Sequence, residues 1–257
     1  MTAVSELHSY KWAVPPAYSF ANRLAEMSDA PGKKRKGERT RDRIMLATCR
    51  LLETTGFRGL RQTDICAEAG IGVATFYLYF DDKLAVCRAV LEDFIGFIAS
   101  VDDPLLEPLR LVVRDERDPF AGILLANLAT LRLAKANTGL FRCFLESIYE
   151  TDEFIGMWRR FSHQWYRRSA LSMLRRGLAQ SEDEIVFRVT LAGGMVDEAL
   201  RSLLLFADET FAERAQRVAA DDALLAVRLS EAWYRIVIGR DPLPDAHAAA
   251  CKAIGIA

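Results

Sequence analysis

The sequence predicts an all-α chain in two parts, a small N-terminal group of three helices joined by a long helix to a C-terminal helical bundle. Three observations carry that expectation. Beyond Pro104 no stretch alternates apolar and polar residues as a half-buried strand does. Apolar residues recur instead three and four positions apart, in runs broken by prolines, glycines and polar caps. Between Arg61 and Tyr79, two short apolar-faced segments are separated by only Gly70, Ile71 and Gly72, the spacing of two helices joined by a tight turn.

Composition narrows the class. The 257 residues are 51% apolar and 27% charged, enough apolar material for one large domain or two modest ones, with no signature of disorder. Five cysteines stand at 49, 66, 87, 143 and 251, an odd number without a C-x-x-C pair, which fits a reduced cytoplasmic compartment. The first residues lack the apolar core of a secretion signal and no run suits a membrane span, so no membrane partner is expected. The net charge of −1 hides an asymmetry. Between Lys33 and Arg61 ten basic residues face three acidic ones, a net +7, while the rest carries 24 basic and 32 acidic residues, a net −8. A basic segment of this kind suits a polyanion; a solvated lysine tail is the plainer reading of its start.

Residues 1–38 mix Pro15, Pro16, Pro31 and Gly32 without a sustained period and read as a flexible basic extension. Met27 offers a second start just ahead of the basic run, which leaves open whether the first 26 residues belong to the natural product. The first helix begins at Thr40 with Ile44, Ala47, Leu51 and Leu52 on one face and ends at Gly56. A second covers 61–69 with Gly70 beyond its end, a third 73–79, and Asp81 is placed to cap a long fourth helix over 82–100. Further helices are expected at 104–113, 119–136, 138–149, 152–180, 182–206 and 211–238, with Ser181 and Glu184 as a capping box. Asp241, Pro242 and Pro244 end the last one. The expected domains are thus 39–99, 100–240 and a tail over 241–257.

Thr40-Arg41-x-x-Ile44-x-x-Ala47, the Gly56-Phe57 break, Asp64-Ile65-x-x-x-Ala69-Gly70 and the run Thr75-Phe76-Tyr77-Leu78-Tyr79-Phe80-Asp81-Asp82-Lys83 together resemble the N-terminal region of TetR-family transcriptional regulators. The resemblance spans about Arg39 to Val90. It implies a helix-turn-helix DNA-binding domain followed by a ligand-binding and dimerisation bundle. It also implies phosphate or sugar contacts for Thr75, Tyr77 and Lys83, with Tyr79 where many members carry histidine, and backbone and occasional base contacts for Gln62 and Thr63. Physically, a major groove about 12 Å wide accepts one helix, base edges meeting its first residues and hydroxyls and amines binding phosphates at its margins. Packing is the alternative role for Tyr77 and Tyr79, and Phe76 and Phe80 read as core. Three positions depart from the family pattern. Gly72 replaces a serine cap, Leu60 stands where threonine often caps the second helix, and Val73 replaces a polar residue. With Val73 and Ala74 at the groove-facing start, base readout falls to thymine methyl contacts and DNA shape, while Lys33, Lys34, Arg35 and Lys36 are available as an arm.

In the second part, Phe154, Trp158, Phe161 and Trp165 follow one another at four, three and four residues and form one helical stripe. Bundle core and a ligand pocket are both open readings, with Asn127, Thr130, His163 and Gln164 as polar partners for a small hydrophobic effector. The arginine pairs 159/160, 167/168 and 175/176 read as a solvated face. No catalytic, cofactor or metal motif emerges, and His8, His163 and His247 have no local partner set. The expectation is a regulator, not an enzyme. It pairs as a homodimer through 182–206 and 211–238, with Ala192, Gly193, Gly194 and Ala199 giving close approach and Leu200, Leu203, Leu204, Val227 and Trp233 giving area. It binds a palindromic operator in duplex DNA and leaves it when the effector enters. A ligand-independent DNA-organising protein is the main alternative and an all-α enzyme the remote one.

Overall fold

The computed structural model describes residues 15–29, 35–115, 118–147, 150, 152–179 and 181–256. Among them there are helices and turns and no strand. They divide into two compact units, one taking the chain from 14 to 102 and from 135 to 161, the other from 103 to 134 and from 162 onward. The second stretch of the first unit falls inside the span that the sequence assigned to the regulatory bundle.

The first unit, the head, is organised on α2 (Lys36–Gly59). Glu38 accepts the Arg35 N–H at 2.7 Å at its start, and Ile44, Ala47 and Leu52 are buried. At Gly56 the backbone turns left-handed, φ 64°, a conformation that a residue without Cβ adopts cheaply, so the main helix stops where the sequence placed its end. α3 (Gln62–Glu68), α4 (Val73–Phe76) and α5 (Lys83–Ile98) follow. Leu60 is buried and Arg61 occupies the cap position of α3. Asp82, one residue after the expected cap, accepts the Ala85 N–H at 2.7 Å and starts α5. Val86, Val90, Leu91 and Phe94 face inward from it.

Residues 16–29, expected as extension, are ordered. A 3-10 turn at Pro16–Tyr18 leads into α1 (Phe20–Asp29), which packs on α2 with Tyr18, Phe20 and Leu24 buried. Its start is held from far along the chain. The Phe20 N–H donates to Asn137 Oδ1 at 2.9 Å and Asn137 Nδ2 donates to the Tyr18 carbonyl at 2.7 Å. The Phe20 ring lies 5.6 Å from that of Phe94.

The head is completed by α8 (Thr138–Ser147) and the first residues of α9 (Asp152–Arg175). α2 and α8 cap each other. Glu53 of α2 accepts the Gly139 N–H at 2.8 Å, and Glu146 of α8 accepts the N–H groups of Phe57 and Arg58 at 3.0 and 3.2 Å. Each carboxylate thus satisfies amides that a helix end leaves unpaired. Burial pushes the Glu53 carboxyl above its ordinary range, against the lowering effect of the amides it accepts.

The second unit, the bundle, holds α6 (Glu107–Asp115), most of α7 (Phe120–Ala136), the rest of α9, α10 (Glu182–Leu200), α11 (Glu209–Val218), α12 (Asp222–Ile238) and α13 (Pro244–Ala253). Ser181 caps α10 through the Glu184 N–H at 3.4 Å, and the last turn after Leu200 widens into π geometry over 201–205. The single helix expected at 211–238 is two. Asp221 accepts the Leu224 N–H at 2.8 Å and starts α12 afresh after Ala219 and Ala220. The expected tail carries α13, which packs on α6 and buries Ala246, Ala250 and Cys251.

Candidate functional site

The helix-turn-helix is short and tightly anchored. Gly70 adopts φ 63° in the turn, a value that favours glycine, and Gly72 opens α4 without a side-chain cap. Phe76 is fully buried and its ring lies 5.9 Å from that of the buried Phe80, which fixes how the segment is rotated on the head. What that rotation leaves outside is Val73, 47% exposed, Tyr77, 54%, and Leu78, 79%, together with Ala74 and, from α3, Thr63. Thr75, Tyr79 and Gln62 are half-buried. The Tyr77 hydroxyl donates to Gln62 Oε1 at 3.2 Å and ties α3 to the segment, while Gln62 Nε2 is buried with no partner among the described residues.

Two sequence candidates are already engaged within the head. Lys83 Nζ donates to the Phe57 carbonyl at 3.1 Å and stands 4.5 Å from the centre of the Phe57 ring, so it closes the turn that follows Gly56. The Tyr79 hydroxyl lies against the start of α2, where a Cβ added at Gly37 would stand 3.5 Å from it. Arg35 and Lys36 are exposed at the head of α2, and Lys33 and Lys34 lie outside the described residues. Leu78 escaped the sequence reading because a leucine in an aromatic run passes for core; only its place between two hydroxyl-bearing tyrosines hinted otherwise.

The aromatic stripe does not line one pocket. Phe154, buried, and Trp158 and Phe161, half-buried, belong to the head, where the Trp158 ring lies 5.4 Å from Phe144 and 5.9 Å from Phe161. Trp165 belongs to the bundle. There it lines a cavity of about 180 Å³ with Asn127, Ser169, Met173, Arg176 and Trp233. Of the six ligand candidates, Asn127 and Trp165 therefore meet. Thr130 turns its hydroxyl back to the Ala126 carbonyl at 2.8 Å, and His163 and Gln164 are exposed. Asn127 is buried, and its Nδ2 donates to Ser230 Oγ at 2.9 Å, linking α7 to α12.

His247 has the local partners that its sequence position did not show. Its Nε2 is 2.9 Å from Glu231 Oε1, its ring centre lies 4.8 Å from that of Phe120 at a 30° tilt, and Cys251 Sγ is 3.8 Å from Nδ1. Burial pushes the Cys251 thiol up, the opposite of what a thiolate nucleophile requires. No three His, Cys, Asp or Glu side chains are arranged to hold a metal, and no helix is long and apolar enough to cross a membrane, among the described residues.

On α10, Phe187, Leu191 and Gly194 face solvent, as does Ile236 on α12. Ala192, Gly193, Ala199, Leu200, Val227 and Trp233, expected at a dimer interface, are instead buried within the subunit. Leu203 and Leu204 are half-buried.

Comparison with known proteins bears on the head first. Residues 44–90 match the family described as bacterial regulatory proteins, tetR family. Among curated proteins, the nucleoid occlusion factor SlmA of Shewanella amazonensis is 26% identical over 170 residues, 65% of this chain and 77% of its own. The same factor from Edwardsiella ictaluri is 26% identical over 172 residues, 63% of this chain and 83% of its own. The matched segment takes in the helix that braces the turn, the turn itself, the exposed α4 surface and the start of the long helix beyond it, so the likeness to the tetR family of bacterial regulatory proteins falls on the helix-turn-helix part of the head.

Proposed function

We propose that the protein is a sequence-specific DNA-binding transcriptional regulator of the cytoplasm, a homodimer that represses from a palindromic operator and is released by a small molecule bound in its helical bundle. The observation that carries this reading is the exposed surface of Val73, Ala74, Tyr77 and Leu78 on a segment locked by the buried Phe76, in the same compact unit as the basic stretch that runs to Arg61. An apolar start to a recognition helix suits thymine methyl groups, and hydroxyls and amines from Thr63, Thr75, Tyr77 and Lys83 suit phosphates. Arg35 and Lys36, with Lys33 and Lys34 before them, extend the positive charge. A two-fold dimer through Phe187, Leu191, Gly194 and Ile236 presents two such segments, and a palindrome repeats its half-site under the same symmetry.

The test is binding of the full chain to duplexes selected from a random pool, read by fluorescence anisotropy at several salt concentrations. Tyr77→Phe is expected to weaken binding to all sequences alike, and Ala74→Ser to change the preferred base at one position of each half-site. Selection that yields no two-fold symmetric site would refute the reading. A second reading, of a ligand-independent DNA-organising protein, has the relatives' name behind it, since they are nucleoid occlusion factors. In that case occupancy grows with DNA length instead of saturating at one site, and no small molecule releases it.

A further inference from the structure

We propose that the bundle cavity takes a small uncharged aromatic alcohol, of the size of phenol, whose hydroxyl donates a hydrogen bond to Oδ1 of Asn127. The proposal rests on the reading of this cavity as the effector site, and three observations give it its chemistry.

The first is a hydrogen-bond chain with a fixed direction. Ser230 donates its one hydroxyl proton to the Ala226 carbonyl at 2.6 Å, so toward Asn127 its oxygen can only accept. That requirement turns the Asn127 amide so that Nδ2 faces Ser230, and Oδ1 is left on the other side. Oδ1 has no hydrogen-bond partner among the described residues, on a side chain 4% exposed that lines the cavity. An acceptor left without a protein partner on the residue that lines the cavity calls for a donor from whatever displaces solvent there, and a molecule that brings none leaves it unmatched.

The second observation is size. An apolar cavity of about 150 Å³ binds benzene, and this one measures about 180 Å³, which admits a six-membered ring with one or two further atoms. The third is the wall. Trp165, Trp233 and Met173 offer ring faces and a polarizable sulfur to a flat ligand, and Ser169 and Ser172 add hydroxyls that both donate and accept. A ligand hydroxyl also does both, so it serves Oδ1 and a serine together. A carboxylate would set acceptor against acceptor at Asn127. Arg176, exposed to solvent, also lines the cavity, so benzoate is the ligand that tests whether charge or the Asn127 acceptor decides the preference.

Calorimetric titration of the full chain with phenol, toluene and benzoate tests this directly. Phenol is expected to bind about tenfold more tightly than toluene, its methyl counterpart, with benzoate weaker than both. Asn127→Leu is expected to reverse the order of phenol and toluene, and Ala126→Phe, which fills the cavity, to abolish binding of both. Toluene binding as tightly as phenol, benzoate binding most tightly, or no binding by any of the three overturns the proposal. So does an unchanged phenol preference in Asn127→Leu. If that variant does not fold, the ranking on the unaltered chain and the Ala126→Phe result decide alone. DNA release is measured in the same solutions. Phenol that binds without releasing DNA refutes ligand control and leaves the ligand class standing, while specific DNA binding with no response to phenol in the calorimeter refutes the ligand class and leaves the regulator standing.

Discussion

Replacing Gly139 by alanine puts the contact between α2 and α8 under a defined strain. A Cβ at this position would stand 2.5 Å from Glu53 N and from Leu52 C and O, all backbone atoms of α2 that no rotamer change can move. Ordinary contact begins at 3.4 Å, so α8 must retreat by about 0.9 Å. The same retreat stretches the 2.8 Å bond from the Gly139 N–H to Glu53 beyond hydrogen-bonding range. Overpacking of this kind costs about 1–3 kcal/mol and a lost hydrogen bond about 1, against a helix gain for alanine of about 0.5–1. The expected net loss is about 2 kcal/mol, or a melting temperature lower by roughly 4–8 °C for a chain of this size. Gly96→Ala is the control. Gly96 lies exposed within α5 with nothing within 4 Å of an added Cβ, so alanine there is expected to stabilise by about 0.4–1 kcal/mol. Thermal unfolding followed by circular dichroism reads both. A Gly139→Ala chain that melts at or above the unaltered one would show that α8 is not held against α2 by this close approach.

Two further outcomes are expected. Crowding by neighbouring protein atoms pushes the Asp197 carboxyl up to about 6 from its ordinary 3.8 although the residue keeps an exposed surface, with the hydrogen bond from Tyr166 at 3.4 Å acting the other way. The folded chain then holds this proton more tightly than the unfolded one, so its contribution to stability is full below about pH 4 and is lost as pH rises through about 6. Melting curves at pH 4.5 and pH 7, compared between the unaltered chain and Asp197→Asn, are expected to show the variant gaining relative stability at the higher pH (about 7, where the aspartate is ionised). Leu191→Glu places a charge on the exposed apolar stripe of α10 and is expected to sediment as a monomer at micromolar concentration; a persisting dimer moves the interface off this face.

The head was legible because its signals are local. The Gly56 break, the Gly70 turn and the three- and four-residue spacing from Ile44 to Leu52 each act within one or two helical turns. What escaped depends on partners far along the chain. Tyr18 and Phe20 carry no period of their own and become ordered through Asn137, 119 and 117 residues away. Glu53 and Glu146 look like surface charges in sequence and cap each other's helices across 86 to 89 residues. The aromatic stripe failed as one pocket for a geometric reason. From Phe154 to Trp165 a helix rises about 16 Å, longer than any small effector, so rings on one face still meet different neighbours along its length. At 219–221 the aspartate cap overrode an apolar pattern that continues on both sides.

If the cavity is the effector site proposed above, its contents would act on DNA binding through a difference and not through a total. A phenol-sized molecule has seven non-hydrogen atoms, and the most efficient small ligands reach about 1.5 kcal/mol per atom. Tenfold release from DNA needs only about 1.4 kcal/mol of that, provided it is gained in one conformation and withheld in the other. Stacking on Trp165 and Trp233 is a poor source of such a difference, because dispersion varies gently when a wall shifts by a fraction of an ångström. A hydrogen bond to a single acceptor is a better one, since its strength depends steeply on distance and angle. Asn127 sits on α7 and is oriented by Ser230 on α12, the helix that also carries Ile236 on the proposed dimer face. A small slide of α12 along α7 would turn the amide and spoil the ligand's bond while leaving the rings in contact. On the proposed function, the fixed direction of the chain from Asn127 through Ser230 to Ala226 would give a neutral ligand of this size leverage over the spacing of the two heads of a dimer.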